Sequence, residues 1–152
     1  MSKPKIIKLV DNLAAVRKQI TGEGLKKSAL AGGFVIEGNA KINVEKTFSS
    51  KSTGGAGLGG SIQTVVSKAD DRYAEVDVGP TVIYGRIQEL GGVVLPVHAK
   101  LLSWVDNGKR IFAKRVQIPA RPYLRPAIDE HEKEIAQAVG FQLKKQIESV
   151  TK

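Results

Sequence analysis

Ile6, Val10, Leu13, Val16 and Ile20 recur at intervals of three and four residues, the apolar stripe of an amphipathic helix. Gly22-Glu23-Gly24 interrupts it. The stretch from Leu25 to Lys46 leaves two readings open. LKKSALAGG begins like a helix, whereas FVIEGNAKINV also alternates like a strand. Gly32, Gly33 and Gly38 would each cost a helix about 1 kcal/mol relative to alanine, tolerable where another helix packs closely on them. Residues 61–67 and 73–79 read as two strands joined by a polar turn around Ala69-Asp70-Asp71. In the second, Ala74, Val76 and Val78 share one face, and Tyr73, Glu75 and Asp77 share the other. Pro80 has no amide to give a ladder and ends that strand.

Residues 81–90 hold a helical turn or two, closed by Gly91-Gly92. Residues 100–105 and 109–118 flank Asp106-Asn107-Gly108, and Asn-Gly is a strong hairpin signal. Trp104 and Phe112 are expected to face each other across that hairpin as core. Pro126 suits the first turn of a helix, and Asp129, Glu130 and Glu132 follow where the helix dipole favours negative charge. Ile128, Ile135, Val139, Leu143, Ile147 and Val150 then form one stripe to the C-terminus. Helices at both ends and strands between them predict an α+β fold, with helices on a mainly antiparallel sheet. A length of 152 residues suits one domain, residues 1–152.

The stretch STGGAGLGGS contains Gly55-Ala-Gly57-Leu-Gly59-Gly60, a formal match to G-x-G-x-x-G. A dinucleotide loop needs a buried strand before it and a helix after it. Here no apolar run precedes, a strand-like run follows, and no Gly-Lys-Ser/Thr supplies a phosphate-binding lysine. Residues 49–60 are therefore expected to be a glycine-rich loop and not a nucleotide site.

Composition narrows the chemistry further. The chain has no cysteine, which removes disulfides and thiol catalysis. No apolar stretch approaches a membrane span, and the charged N-terminus lacks the pattern of a secretion signal, so a cytoplasmic compartment is expected. Net charge is +9, concentrated in residues 1–53 and 100–125, while the rest is slightly acidic. Such a field suits nucleic acid, an acidic protein surface or plain solubility. His98 and His131, the two histidines, have no partner at a telling spacing and are expected at the surface. Asp70-Asp71 and Glu130-His131-Glu132 read as turn and helix-start residues before they read as acid–base pairs. The aromatics are too scattered for a base-stacking platform. No catalytic residue, metal site or cofactor is expected.

One segment stands apart: Pro119-Ala120-Arg121-Pro122-Tyr123-Leu124-Arg125-Pro126. Its three prolines restrict φ and push the preceding residues into extended conformations, which predicts a stiff arm from 119 to 126. Arg125, at the entry of an acid-rich helix, is expected to find its partner within the subunit. Arg121, nearer the basic Lys114 and Arg115, is expected to seek an acidic partner on another subunit.

IPARPYLRPA followed by an acidic-start helix resembles the signature of a family of tailed-bacteriophage virion morphogenesis proteins. These are the tail-completion, or head–tail joining, components of long-tailed phages and prophages. Gly79-Pro80, Tyr84 and Glu89-Leu-Gly91 resemble the family's G-P, Y and E-x-G segment. Thr53-Gly54, Leu58 and Ser61-Ile62 resemble its T-G-x-L-x-x-S-I element, with extra glycines stretching the spacing before Leu58. The resemblance implies a structural, non-enzymatic protein that forms a ring, commonly of six copies, in the virion neck. Its implied partners are the head-side connector and the tail-tube or tail-terminator proteins. Packaged DNA would pass through the lumen without sequence recognition, and assembly would occur in the bacterial host's cytoplasm. It also implies that residues 25–46 form a long helix across the sheet, and that the glycine-rich loop orders on assembly. A small basic nucleic-acid-binding module is the alternative that charge alone suggests.

Overall fold

The computed structural model describes residues 16–18, 20–48 and 53–151. Val16 and Ile20 are helical and half-buried; Ile6, Val10 and Leu13 of the predicted stripe lie outside the described residues. The first full element, α1, runs Glu23–Thr47, so the ambiguous stretch is one long helix. It is the hub of the molecule, with α5 on one flank and the strands β1 and β2 on another. These are Glu132–Thr151 for α5, Ile62–Ala69 for β1 and Ala74–Pro80 for β2.

The glycines that obscured α1 in the sequence explain its packing. Gly24, Ser28 and Gly32 are buried at four-residue spacing, so one small-residue face lets α5 approach closely. A Cβ added to Gly32 would come within 2.9 Å of the Val139 side chain. The approach is stitched by polar bonds: Gln146 Nε2 donates to Gly24 O at 3.1 Å and to Ser28 Oγ at 3.2 Å. Gly33 faces the other way, where a Cβ would fall on the Thr64 methyl. Close packing on both flanks offsets the low helix propensity.

Among the described residues the strands form three separate two-stranded antiparallel ribbons and not one sheet. β1 pairs with β2, and Ala74, Val76 and Val78 are the half-buried face while Tyr73, Glu75 and Asp77 are exposed, as the alternation predicts. The connecting turn is held by Asp70 Oδ1, which accepts the amides of Arg72 at 2.6 Å and Tyr73 at 3.0 Å. A short helix α3, Gly85–Leu90, leads into β3, Gly92–Val94. β4, Leu102–Asp106, and β5, Lys109–Ala113, form the predicted hairpin, with Asn107 at φ 49 and Gly108 at φ 77. The expected strand over 109–118 is divided, because β6, Val116–Ile118, leaves the hairpin to pair with β3.

Three further expectations change. Trp104 opposes Ile111, and Phe112 opposes Ser103, so Trp104 and Phe112 lie on opposite faces of the ribbon. Neither is core: they are 39% and 58% exposed. The C-terminal stripe is two helices, α4, Leu124–Asp129, and α5, with the chain turning at Glu130-His131. Ile128, placed on the first of them, is exposed, whereas Ile135, Val139, Leu143 and Ile147 keep the predicted half-buried stripe.

The glycine-rich segment also differs from the expected loop over 49–60. Residues 49–52 lie outside the described residues, but Thr53–Ser61 form a helix, α2, in which five of nine residues are glycine. Its propensity is poor, so tertiary contacts hold it. Leu58 is fully buried, Ser61 Oγ donates to Leu58 O at 2.7 Å, and Gly59 leaves only 3.5 Å between an added Cβ and Val44. Leu58, Ala40, Val44, Phe48, Ile62, Tyr123 and Ala127 make the core.

Two alanine substitutions in α1 separate propensity from packing. Gly38 has nothing within 4 Å of an added Cβ, so Gly38→Ala is expected to stabilise by about 1 kcal/mol. Gly33→Ala should destabilise by about 1–3 kcal/mol, because the stiff Thr64 side chain must move. Denaturant melts check the pair; equal effects would mean that α1 does not press on β1.

Candidate functional site

The residues singled out by the sequence converge on one place, the entry to α4. A helix start leaves up to four amides without intrahelical acceptors. Here they belong to Tyr123, Leu124, Arg125 and residue 126. The carboxylate of Glu89, on α3, accepts the first three: Tyr123 N at 2.6 Å and Leu124 N at 2.9 Å on Oε2, and Arg125 N at 3.1 Å on Oε1. The fourth residue is Pro126, which has no amide. One side chain and one proline thus resolve every orphan donor, and the negative charge sits where the helix dipole is positive. Pro126 is therefore the third helical residue and not the first, and the arm is shorter than expected: 119–122 lie outside any helix or strand, while 124–126 are helical.

Tyr123 is the hub of this knot and is fully buried. Its hydroxyl donates to Gly85 O at 3.2 Å, and its carbonyl accepts Asn43 Nδ2 from α1 at 3.2 Å. Burial, and then the charge of Glu89, push its phenol from 10.0 up to about 12. Gly85 lies under the Pro80 ring, with no room for a Cβ. Gly91 has φ 69, and an added Cβ there would stand 2.7 Å from Ala120 N. The Arg121 amide donates to Gln88 O at 2.8 Å, fastening the arm to α3.

The other sequence candidates fall around this centre. Leu58 is in the core beside Tyr123, and Ser61 O accepts the Thr81 amide at 3.0 Å just after Gly79-Pro80. The Tyr84 hydroxyl stands 2.9 Å from where a Gly57 Cβ would be, so α2 and Tyr84 approach closely there. Thr53 and Gly54 open α2. Pro119, Ala120, Arg121 and Pro122 are exposed, Leu124 is half-buried, and Arg125 is exposed.

Arg125 lacks the expected ion pair within the subunit among the described residues, and the partner expected for Arg121 on another subunit lies outside a single chain. The Arg121 guanidinium lies 5.4 Å from the centroid of the Phe48 ring, a cation–π contact within the chain. Arg125 gives Glu89 its backbone amide, and its guanidinium forms no ion pair among the described residues. Asn43, Phe48, Gly85 and Gln88 belong to the knot but were not singled out by sequence.

His98 is exposed as expected, but His131 is half-buried, with Nδ1 shielded and lacking a hydrogen-bond partner. Among the described residues no group of three or more His, Asp and Glu side chains could hold a metal ion. None of the described helices is long and apolar enough to cross a membrane. Beside α3, Val78, Pro80, Val82, Ile83, Leu90 and Leu124 line an open, mainly apolar groove of about 360 Å³. The ionisable members of the knot, Glu89 and Tyr123, are committed to holding backbone, so the arrangement is structural in character. Compared with family models, curated proteins and solved structures, the chain matches none of them.

Removing the Glu89 carboxylate strands three amides. Glu89→Ala is expected to destabilise by about 3 kcal/mol, and Glu89→Gln, which keeps one acceptor oxygen, by about half as much. Chemical denaturation monitored by circular dichroism would measure both, and an unchanged Glu89→Ala midpoint would refute the cap.

Tyr123 generates an alkaline prediction. Below pH 10 the phenol is protonated in both folded and unfolded chains. Between about pH 10 and about pH 12 the unfolded chain ionises first and binds fewer protons, so stability falls as pH rises, at up to about 1.4 kcal/mol per pH unit. Tyr123→Phe should be weaker near neutrality, through loss of the Gly85 hydrogen bond, yet lose less stability over that alkaline window. Melts of both proteins across the window check this, and parallel pH curves would contradict it.

Proposed function

We propose that this chain is a structural, non-enzymatic component of a tailed-bacteriophage virion, a tail-completion or head–tail joining protein of the neck. In this reading six copies form a ring between the head-side connector and the tail tube or tail terminator. Packaged DNA passes through the lumen without base readout. The protein assembles in the cytoplasm of the host bacterium and needs no cofactor.

One observation supports the reading above others. The segments that resemble the family, 79–91 and 119–126, are distant in sequence yet meet as one hydrogen-bonded unit around Glu89 and Tyr123. Chance matches have no reason to be complementary in space. A resemblance carried by mutually dependent residues is a resemblance of a whole packed unit. The character of that unit, backbone capping and close glycine contacts, suits a protein whose task is to hold shape within an assembly.

The test is genetic and biochemical together. Inactivating the coding sequence in a phage or prophage that carries it should leave filled heads and finished tails unjoined, and added purified protein should restore joining. Duplex DNA should bind weakly. Normal virions without the protein would overturn the proposal. So would tight duplex binding that falls steeply with salt, together with no effect on joining, which is the behaviour of a nucleic-acid-binding module.

A further inference from the structure

The β4–β5 hairpin has little support from the rest of the described structure. It packs principally against itself, and a two-stranded ribbon alone in water is marginal. It nevertheless carries Trp104, Val105 and Phe112 with 39%, 64% and 58% of their surface exposed. Register puts Val105 and Phe112 on one face together with Arg110. Around them Lys100, Lys109, Arg110, Lys114 and Arg115 are all exposed, against one carboxylate, Asp106. This is an apolar ribbon with a cationic rim.

The same chain carries the complementary surface. The groove lined by Val82, Ile83, Leu90 and Leu124, with Arg86 and Glu89 also in its wall, opens at the start of α4. At the far end of α4 the elbow presents Asp129, Glu130, Glu132 and Glu134, all exposed, against the cations Lys133 and, one turn earlier on α4, Arg125. From Leu124 to Asp129 the helix rises roughly 7–8 Å. From Phe112 to Arg110 the strand spans about 7 Å. Measured along the two element axes, the apolar and charged features are separated by similar lengths. Within one chain no ion pair among the described residues joins them.

We propose that the hairpin of one copy docks on the groove and acidic elbow of a second copy, Phe112 and Val105 entering the groove while Arg110, on their face, meets Asp129 and Glu130 and Lys109, on the other face, flanks the contact beside the turn. Because the two surfaces differ, the contact is head-to-tail, each copy giving a hairpin and receiving one. The contact follows from the charges and apolar residues of this chain. Closure into a ring, rather than an open filament, rests on the neck reading.

Charge exchange tests it. One variant carries Lys109→Glu and Arg110→Glu, and a second carries Asp129→Lys and Glu130→Lys; thermal melts establish that each is folded. Sedimentation at high micromolar concentration should show wild type self-associating, and less so as salt rises from about 50 to about 500 mM. Each variant alone should remain a monomer. Their equimolar mixture should recover a species of wild-type size, because acidic hairpins then meet basic elbows and basic hairpins meet acidic elbows.

Variants that associate like wild type, a mixture that stays monomeric, or a wild type that never associates would each overturn the proposal. Loss of duplex DNA binding in the hairpin variant, with association intact, would also overturn it and assign the hairpin to nucleic acid. The joining assay is independent. Normal joining by both variants would sink this contact and leave the neck reading standing, whereas a wild type that associates yet plays no part in joining would do the reverse.

Discussion

The Glu89 carboxylate holds the start of α4, and much of the molecule depends on that contact. A six-residue helix has little stability of its own, and its first turn points unpaired amides inward. Without an acceptor those amides could not be buried, and Tyr123, whose amide is among them, could not enter the core. With it, Tyr123 reaches across to Gly85 and back to Asn43 on α1, so three helices are tied at one residue. Gly85 and Gly91 then follow as necessities: a side chain at either would strike Pro80 or Ala120. Pro126 follows too, since a fourth amide there would need an acceptor that two carboxylate oxygens, already taking three, are badly placed to supply.

The second constraint is the small-residue surface of α1. With the described strands divided into three ribbons, no continuous sheet can organise the core. α1 does so instead, receiving α5 on Gly24, Ser28 and Gly32 and β1 on Gly33. Close approach of backbones substitutes for bulky apolar side chains, which explains why so long a helix buries no large residue before Val44. The same arrangement leaves the β4–β5 ribbon outside the reach of the hub. Its apolar side chains therefore remain exposed in a single copy.

Periodicity made the α+β class, the β1–β2 ribbon and the Asn107-Gly108 hairpin legible, because each depends on local chemistry. Alternation in Ala74, Val76 and Val78 is written by one buried face, and positive φ at Asn107 and Gly108 is written by residue type. What was not legible depends on residues far apart in the chain. Gly32 and Gly33 look like helix breakers until Val139 and Thr64 are known to press on them. α2 looks like a loop until Leu58 is known to be buried. Trp104 and Phe112 look like a core pair from the turn alone, because an Asn-Gly turn does not reveal the register that puts them on opposite faces. The break between α4 and α5 was hidden because the apolar spacing runs through Glu130-His131 undisturbed. Glu89 was conspicuous only within a resemblance; nothing local shows that its carboxylate will cap a helix 34 residues onward.

The residues that carry the resemblance are mostly those that build the knot, and this limits what they say about function. Leu58, Ser61, Glu89, Gly91 and Tyr123 are constrained by burial, capping or backbone approach, so they specify a fold whatever that fold is used for. Function must be carried by surfaces that the knot positions without including. The groove is such a surface, since Pro80, Leu90 and Leu124 line it while their neighbours hold the knot together. The elbow is another, because its carboxylates follow directly from the helix that Glu89 caps. A defect in the cap would therefore move groove and elbow together. In that sense the knot couples stability to assembly: it keeps an apolar surface and an acidic one at a fixed spacing, which is what a basic, apolar hairpin on a neighbouring copy would require.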